Sequence, residues 1–219
     1  CPSPPPRSML MWLGEREVAP GDTLSLQVLS VQGPNHIVAV PDHCVTHWRL
    51  DAQAPASLDR AAARLAIRPD AADGQVFSVQ AQVADQPVAG EVRVVDPALH
   101  PLQGTWTQTH EVACGTTERK APAQRVGELK FTGRGQFSLT IQPLERYVDY
   151  GGAYRFSANT EQLTLEATSG NRLPTQRLWT GSARLNTPNE LAVARLPAPM
   201  GSAQMAATAN VCEQVFRRN

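Results

Sequence analysis

The 219-residue chain has no charge of either sign to spare, because 20 lysines and arginines balance 20 aspartates and glutamates. No basic run is long enough to track phosphates, so the sequence offers no electrostatic footprint for nucleic acid. No apolar run approaches the roughly 18 residues that a membrane-spanning helix requires. Gly-x-Ser-x-Gly, His-Glu-x-x-His, Cys-x-x-Cys and Walker motifs are all missing, so nothing announces a nucleophile elbow, a catalytic zinc, a redox pair or a phosphate loop. The expectation is a protein that is not an enzyme and that uses no cofactor and no metal.

What the chain does have is punctuation. Its 18 prolines and 15 glycines argue against long helices and for many short strands. Up to about Pro97, apolar alternation recurs at Leu24–Leu29, Ile37–Val40, Val45–Leu50, Arg64–Ile67, Phe77–Val83 and Val88–Val95. Turn clusters such as Pro20-Gly21-Asp22, Gly33-Pro34-Asn35 and Asp70–Gly74 separate these runs, a spacing that predicts a β-sandwich. At Ser57–Leu65 the Ala61-Ala62-Ala63 stretch favours helix, and a single turn at most is expected there. Cys44 and Trp48 are placed on one strand, about 13 Å apart and facing the same way, unlike the cysteine–tryptophan core of antibody domains. His43 and His47 have the same spacing, too wide on a strand for one ion, and read as surface histidines.

From about Leu102 the alternation is cleaner. Eight strands are expected near 104–113, 125–132, 135–142, 152–157, 162–168, 178–185, 190–195 and 209–217. Short turns between sequential strands suit an up-and-down barrel. Thr132-Gly133-Arg134-Gly135 reads as a tight hairpin turn; a phosphate loop would need a helix after it, and a strand follows.

Three resemblances bear on these patterns. Gly104-Thr105-Trp106 resembles the glycine-x-tryptophan signature of lipocalins, in which the tryptophan closes one end of the barrel. Leu129–Thr132, Gly135–Ser138 and Asp149–Tyr154 resemble strand and turn passages of bacterial lipocalin-like domains. The segment is short for that family and shows no helix after the last strand, so an open calyx and a side-chain-filled interior both remain open. Trp48–Asp51, Ala56–Asp59, Asp73–Ala81 and Val92–Val95 resemble bacterial immunoglobulin-like domains. Cys1 followed by Pro2-Ser3-Pro4-Pro5-Pro6 resembles the start of a mature bacterial lipoprotein, whose cysteine carries the lipid and whose proline tether lifts the domain off the bilayer. The alternative is a boundary that merely falls on Cys1. The organisation expected is an anchor and tether over 1–8, an immunoglobulin-like sandwich over 9–97 and a lipocalin-like barrel over 102–219.

With Cys1 lipidated, Cys44, Cys114 and Cys212 allow one intramolecular disulfide. In a closed barrel the end of the first strand meets the start of the last, so Cys114–Cys212 is the expected pair and Cys44 the buried thiol. Tyr147 and Tyr150 beside Arg146, with Arg172 and Trp179, are the candidate recognition residues at the barrel mouth, while Tyr154 has an inward period. Glu145 and Asp149 read as a solvated connection rather than a catalytic carboxylate pair. The expected role is non-enzymatic: an outer-membrane lipoprotein of the bacterial envelope, facing the periplasm, whose barrel binds an apolar small molecule or lipid. The alternatives are a protein-binding inhibitor or immunity lipoprotein, with a secreted or envelope protein as partner, and a structural component of an envelope assembly.

Overall fold

A computed structural model describes residues 1, 8–13, 16–33, 36–84, 86–122, 125–141, 148–194, 196–197 and 211–219. Among these the chain is strands and turns with one 3₁₀ turn, Asp42–Cys44. It divides into two compact units, Cys1–Pro101 and Leu102–Asn219.

The strands of the first unit are β1 (Ser8–Leu13), β2 (Glu17–Val18), β3 (Thr23–Gly33), β4 (His36–Ala39), β5 (Val45–Leu50), β6 (Ala56–Asp59), β7 (Arg64–Ile67), β8 (Val76–Val83) and β9 (Gln86–Val94). One sheet runs β1-β3-β7-β6 with β4 added on β3, and the other runs β2-β9-β8-β5. In the second of these sheets β2 runs parallel to β9. Alternation along β8 turns Phe77, Val79, Ala81 and Val83 inward, where they meet Leu26 and Val28 of β3 and Leu65 and Ile67 of β7 in one core. Burying an apolar face of each sheet against the other is what makes the two sheets a sandwich.

The alanine run is no helix. Asp59 Oδ1 accepts from the amides of Ala61 and Ala62, at 3.0 Å each, and the chain turns there between β6 and β7. A side chain that satisfies two backbone donors in a turn outcompetes weak helical propensity. Cys44 also departs from expectation, since it closes the 3₁₀ turn instead of lying on the strand. Beyond it, His47 has φ +54° and the β5–β8 register shifts between Thr46 and Arg49. This bulge leaves Thr46 and His47 exposed and turns Trp48 into the core at 7 % exposure. Cys44 is bonded to Cys1, so it is not the spare thiol that the sequence suggested.

The second unit contains β10 (Gly104–Ala113), β11 (Arg119–Lys120), β12 (Val126–Phe131), β13 (Gln136–Ile141), β14 (Val148–Ser157), β15 (Gln162–Gly170), β16 (Leu178–Thr187), β17 (Glu190–Ala194) and β18 (Val211–Arg218). Apart from the short β11, each strand from β10 to β18 pairs antiparallel with the next, and β18 pairs back onto β10. The result is a closed eight-stranded up-and-down barrel. Its inward side chains include Trp106, Leu129, Phe131, Leu139, Leu163, Leu165, Leu191 and Phe216, each at most 1 % exposed.

Closure is secured twice. Cys114 and Cys212, separated by 98 residues, are bonded at the ends of β10 and β18. At the other end of the same seam Trp106 faces Arg218 in register, and the guanidinium lies 4.5 Å from the indole centroid. On the barrel exterior Arg119 donates two bonds to Glu190, at 3.0 and 3.1 Å, tying β11 to β17, and the Asn186 amide donates to the same carboxylate at 2.9 Å.

Replacing Cys114 and Cys212 together by serine is expected to cost about 2–5 kcal/mol, read as a lower urea midpoint for the barrel; an unchanged midpoint refutes a role for the bond in stability. The Arg119 hydrogen bonds, with help from Asn186, hold Glu190 below its ordinary value of 4.5. A depressed carboxyl stabilises the fold above that value and loses its contribution as pH falls through the folded value. Glu190→Gln should therefore lower stability near neutrality, by less than about 1 kcal/mol for so solvated a pair. The variant's difference from the parent should shrink as pH falls below 4.5 and through the lower folded value of Glu190; a difference that persists in strong acid contradicts this account.

Candidate functional site

The two ends of the barrel differ. At one end the connections are the hairpin turns 132–135, 158–161 and 188–189. Gly135, at φ +72°, closes the first of them, with its amide donating to the Thr132 carbonyl at 3.1 Å. Trp106 is fully buried towards this end, and its Nε1 donates to the Leu102 carbonyl at 2.8 Å. Edge-to-face packing of Phe131 on Tyr154, with centroids 4.8 Å apart, and the Tyr154 hydroxyl bond to the Thr132 carbonyl at 3.0 Å complete the plug.

At the opposite end the connections span 114–125, 142–147, 171–177 and 195–210. Loops gathered at one end of a rigid barrel are where binding residues concentrate. The inward positions nearest this end are Glu111, Val126, Ile141, Tyr150, Ala167, Trp179, Val193 and Gln214, all buried. Leu196 is buried beside them, its amide donating to Gln214 Oε1 at 3.0 Å.

The expected recognition residues are distributed differently from a mouth cluster. Arg146 and Tyr147 lie outside the described residues, as does Glu145. Arg172 is exposed in the turn after β15. Tyr150 is only 1 % exposed and donates its hydroxyl to the Pro197 carbonyl at 2.8 Å, so it is a wall residue and not a rim residue. Burial pushes that hydroxyl far above the ordinary phenol range. The reason lies in the strand boundary: β14 begins at Val148 rather than 152, and its period of two puts Tyr150 on the same inner face as Tyr154. Trp179 is likewise inside, at 8 % exposure. Its indole folds along its own strand over Gly181, where an added Cβ would come within 2.2 Å of the ring. Asp149 is structural, since its carboxylate accepts from the Asn171 amide at 3.1 Å while its own amide donates to Asn171 Oδ1 at 3.1 Å.

What motif reading did not reveal is a polar seam inside the barrel. Gln108, Glu111 and Gln214 are 0, 6 and 3 % exposed. Gln108 Oε1 accepts from the Val126 amide at 2.8 Å, and its Nε2 donates to Glu111 Oε1 at 3.3 Å. The register between β10 and β18 shifts at Thr109, and Glu111 then stands opposite Gln214. Strict alternation from Trp106 would turn Glu111 outward; the bulge reverses it.

In the first unit Cys1, His43 and Cys44 hold potential metal-ligand atoms within 4.8 Å of one another. Both sulfurs are bonded to each other, which leaves the His43 imidazole as the one donor. A depression of about 480 Å³ lined by Ser25, Leu26, Gln27, Asp42, Ala62, Ala63 and Arg64 lies on the same unit, but most of its lining is exposed and brings no convergent polar set together.

No protein-family model, curated protein or solved structure matches the chain.

Gly181→Ala should displace the Trp179 indole and cost about 1–3 kcal/mol. Denaturant unfolding and the near-ultraviolet dichroism of the tryptophans would report it; an unchanged spectrum and midpoint would show that the ring does not rest on Gly181.

Proposed function

We propose that this chain is a non-enzymatic binding module of the bacterial cell envelope, in which a lipocalin-like barrel takes an apolar small molecule or lipid and an immunoglobulin-like sandwich serves as spacer. The observation that carries the reading is the asymmetry of the barrel: one end plugged by Trp106 and Arg218 and closed by tight hairpins, the other joined by the longer connections, with a mainly apolar wall of Val126, Ile141, Tyr150, Trp179 and Val193 interrupted by Glu111 and Gln214. The Cys114–Cys212 disulfide suits an oxidising compartment such as the periplasm.

The same reading anchors the protein in the outer membrane through a thioether on Cys1. One sulfur cannot hold both a lipid and Cys44, so the anchored form carries Cys44 as a thiol. The tightly packed side chains around Trp106, Phe131 and Phe216 favour a second reading, in which recognition uses the outer surface and the partner is a secreted or envelope protein.

Native mass spectrometry of protein extracted from membranes separates these. The first reading expects a co-purifying lipid, and a mass on Cys1 equal to a diacylglyceryl group. Protein that is lipid-free, does not bind a neutral apolar fluorophore and is captured with a protein partner would overturn it in favour of the second.

A further inference from the structure

The outer face of one sheet in the first unit is apolar where a sandwich facing water is polar. Along β3 the even positions Leu26, Val28 and Ser30 are buried inward, so the odd ones point out. The register carries that outer face across three strands: Leu10 of β1 stands beside Leu29, Leu29 beside Ala39 of β4, and Val31 beside Ile37 of β4. Leu10 and Ile37 are 54 and 57 % exposed, Ala39 is exposed, and Leu29 and Val31 are half-buried. None of these five positions carries a charge.

The other sheet of the same unit follows the usual rule. Its outward positions on β8 and β9 include Ser78, Gln80, Gln82, Glu91 and Arg93, as a solvated face requires. Its exposed Val76 stands opposite Arg93. Exposed apolar side chains gathered across neighbouring strands mark a contact surface. What this one meets follows from the chain that leads into it. β1 begins at Ser8, seven positions after Cys1. Seven residues of fully extended chain span at most roughly 25 Å. A lipid on Cys1 therefore holds β1 within that distance of the bilayer. A tether of this length can stand upright or lie along the surface. An uncharged apolar face favours the second, because its area leaves water at the acyl boundary.

We infer that the outer face of β1, β3 and β4 rests on the phospholipid bilayer, with Leu10 and Ile37 entering the boundary between headgroups and acyl chains. This rests on Cys1 being the lipid anchor, and it adds the surface that the anchored protein turns towards the membrane. The lipid and the apolar face are then two attachments on one molecule, and the first raises the local concentration at which the second acts.

The test places photoreactive benzoylphenylalanine at Ile37 or, as a control, at Gln80 of the full-length lipidated protein, reconstituted in vesicles of phosphatidylethanolamine and phosphatidylglycerol. Both side chains are exposed, one on each sheet. Irradiation is expected to join phospholipid to position 37 and not to position 80. Absence of lipid on position 37, or equal labelling of both, overturns the inference while leaving the anchor in place. A crosslink from position 37 to a second copy of the protein does the same and assigns the face to a protein contact. Leu10, on the neighbouring strand, repeats the measurement should the variant at Ile37 fail to fold. A Cys1 whose mass lacks the diacylglyceryl group sinks the anchoring reading itself and the inference with it.

Discussion

The pairing of β10 with β18 is the contact on which the second unit depends. Every other pair in the barrel wall joins strands that follow one another along the chain, so each is secured by its own turn. The seam has no such help and is made by backbone pairing from Trp106–Arg218 to Ala113–Val211. The cation over the indole holds one end and the disulfide holds the other. Without that seam Trp106 would lose its partner, Gln214 would no longer face Glu111, and the apolar interior would open along its length.

The sandwich and the barrel use the same device for different ends. In β5 a bulge at His47 rotates Trp48 into the core, where its area consolidates the packing of two sheets. In β10 a bulge at Thr109 rotates a carboxylate inward, where nothing about packing calls for it. Stability explains the first placement. The second sets Glu111 opposite Gln214 and within reach of the Gln108 amide, so the two bulges place side chains of opposite character inside their units.

Much of this architecture was legible in the residues. Eight strands, their order and the Cys114–Cys212 pairing followed from clean alternation and from the geometry of closure, because a period of two read off Phe137, Leu139 and Ile141 leaves little choice of face. Less was legible where alternation fails. Nothing in Thr107-Gln108-Thr109-His110 marks the extra residue, so the inward turn of Glu111 had no local signature. Tyr150 and Trp179 resembled a rim because tyrosine and tryptophan serve interfaces and cores alike; the start of β14 and the glycine under the indole decide the matter, and both are tertiary facts. The Cys1–Cys44 bond was hidden for a different reason, since pairing distant cysteines requires the fold.

The seam also has a kinetic side. A meander can zip hairpin by hairpin, each step closing a short loop, whereas bringing β10 to β18 closes nearly the whole unit and bears the largest entropic penalty. Until that happens both strands are open edges, able to pair with another chain as readily as with each other. In an oxidising compartment a sulfur bridge at the far end of that seam acts as a latch on the last and slowest step, shortening the time for which the nascent barrel is sticky.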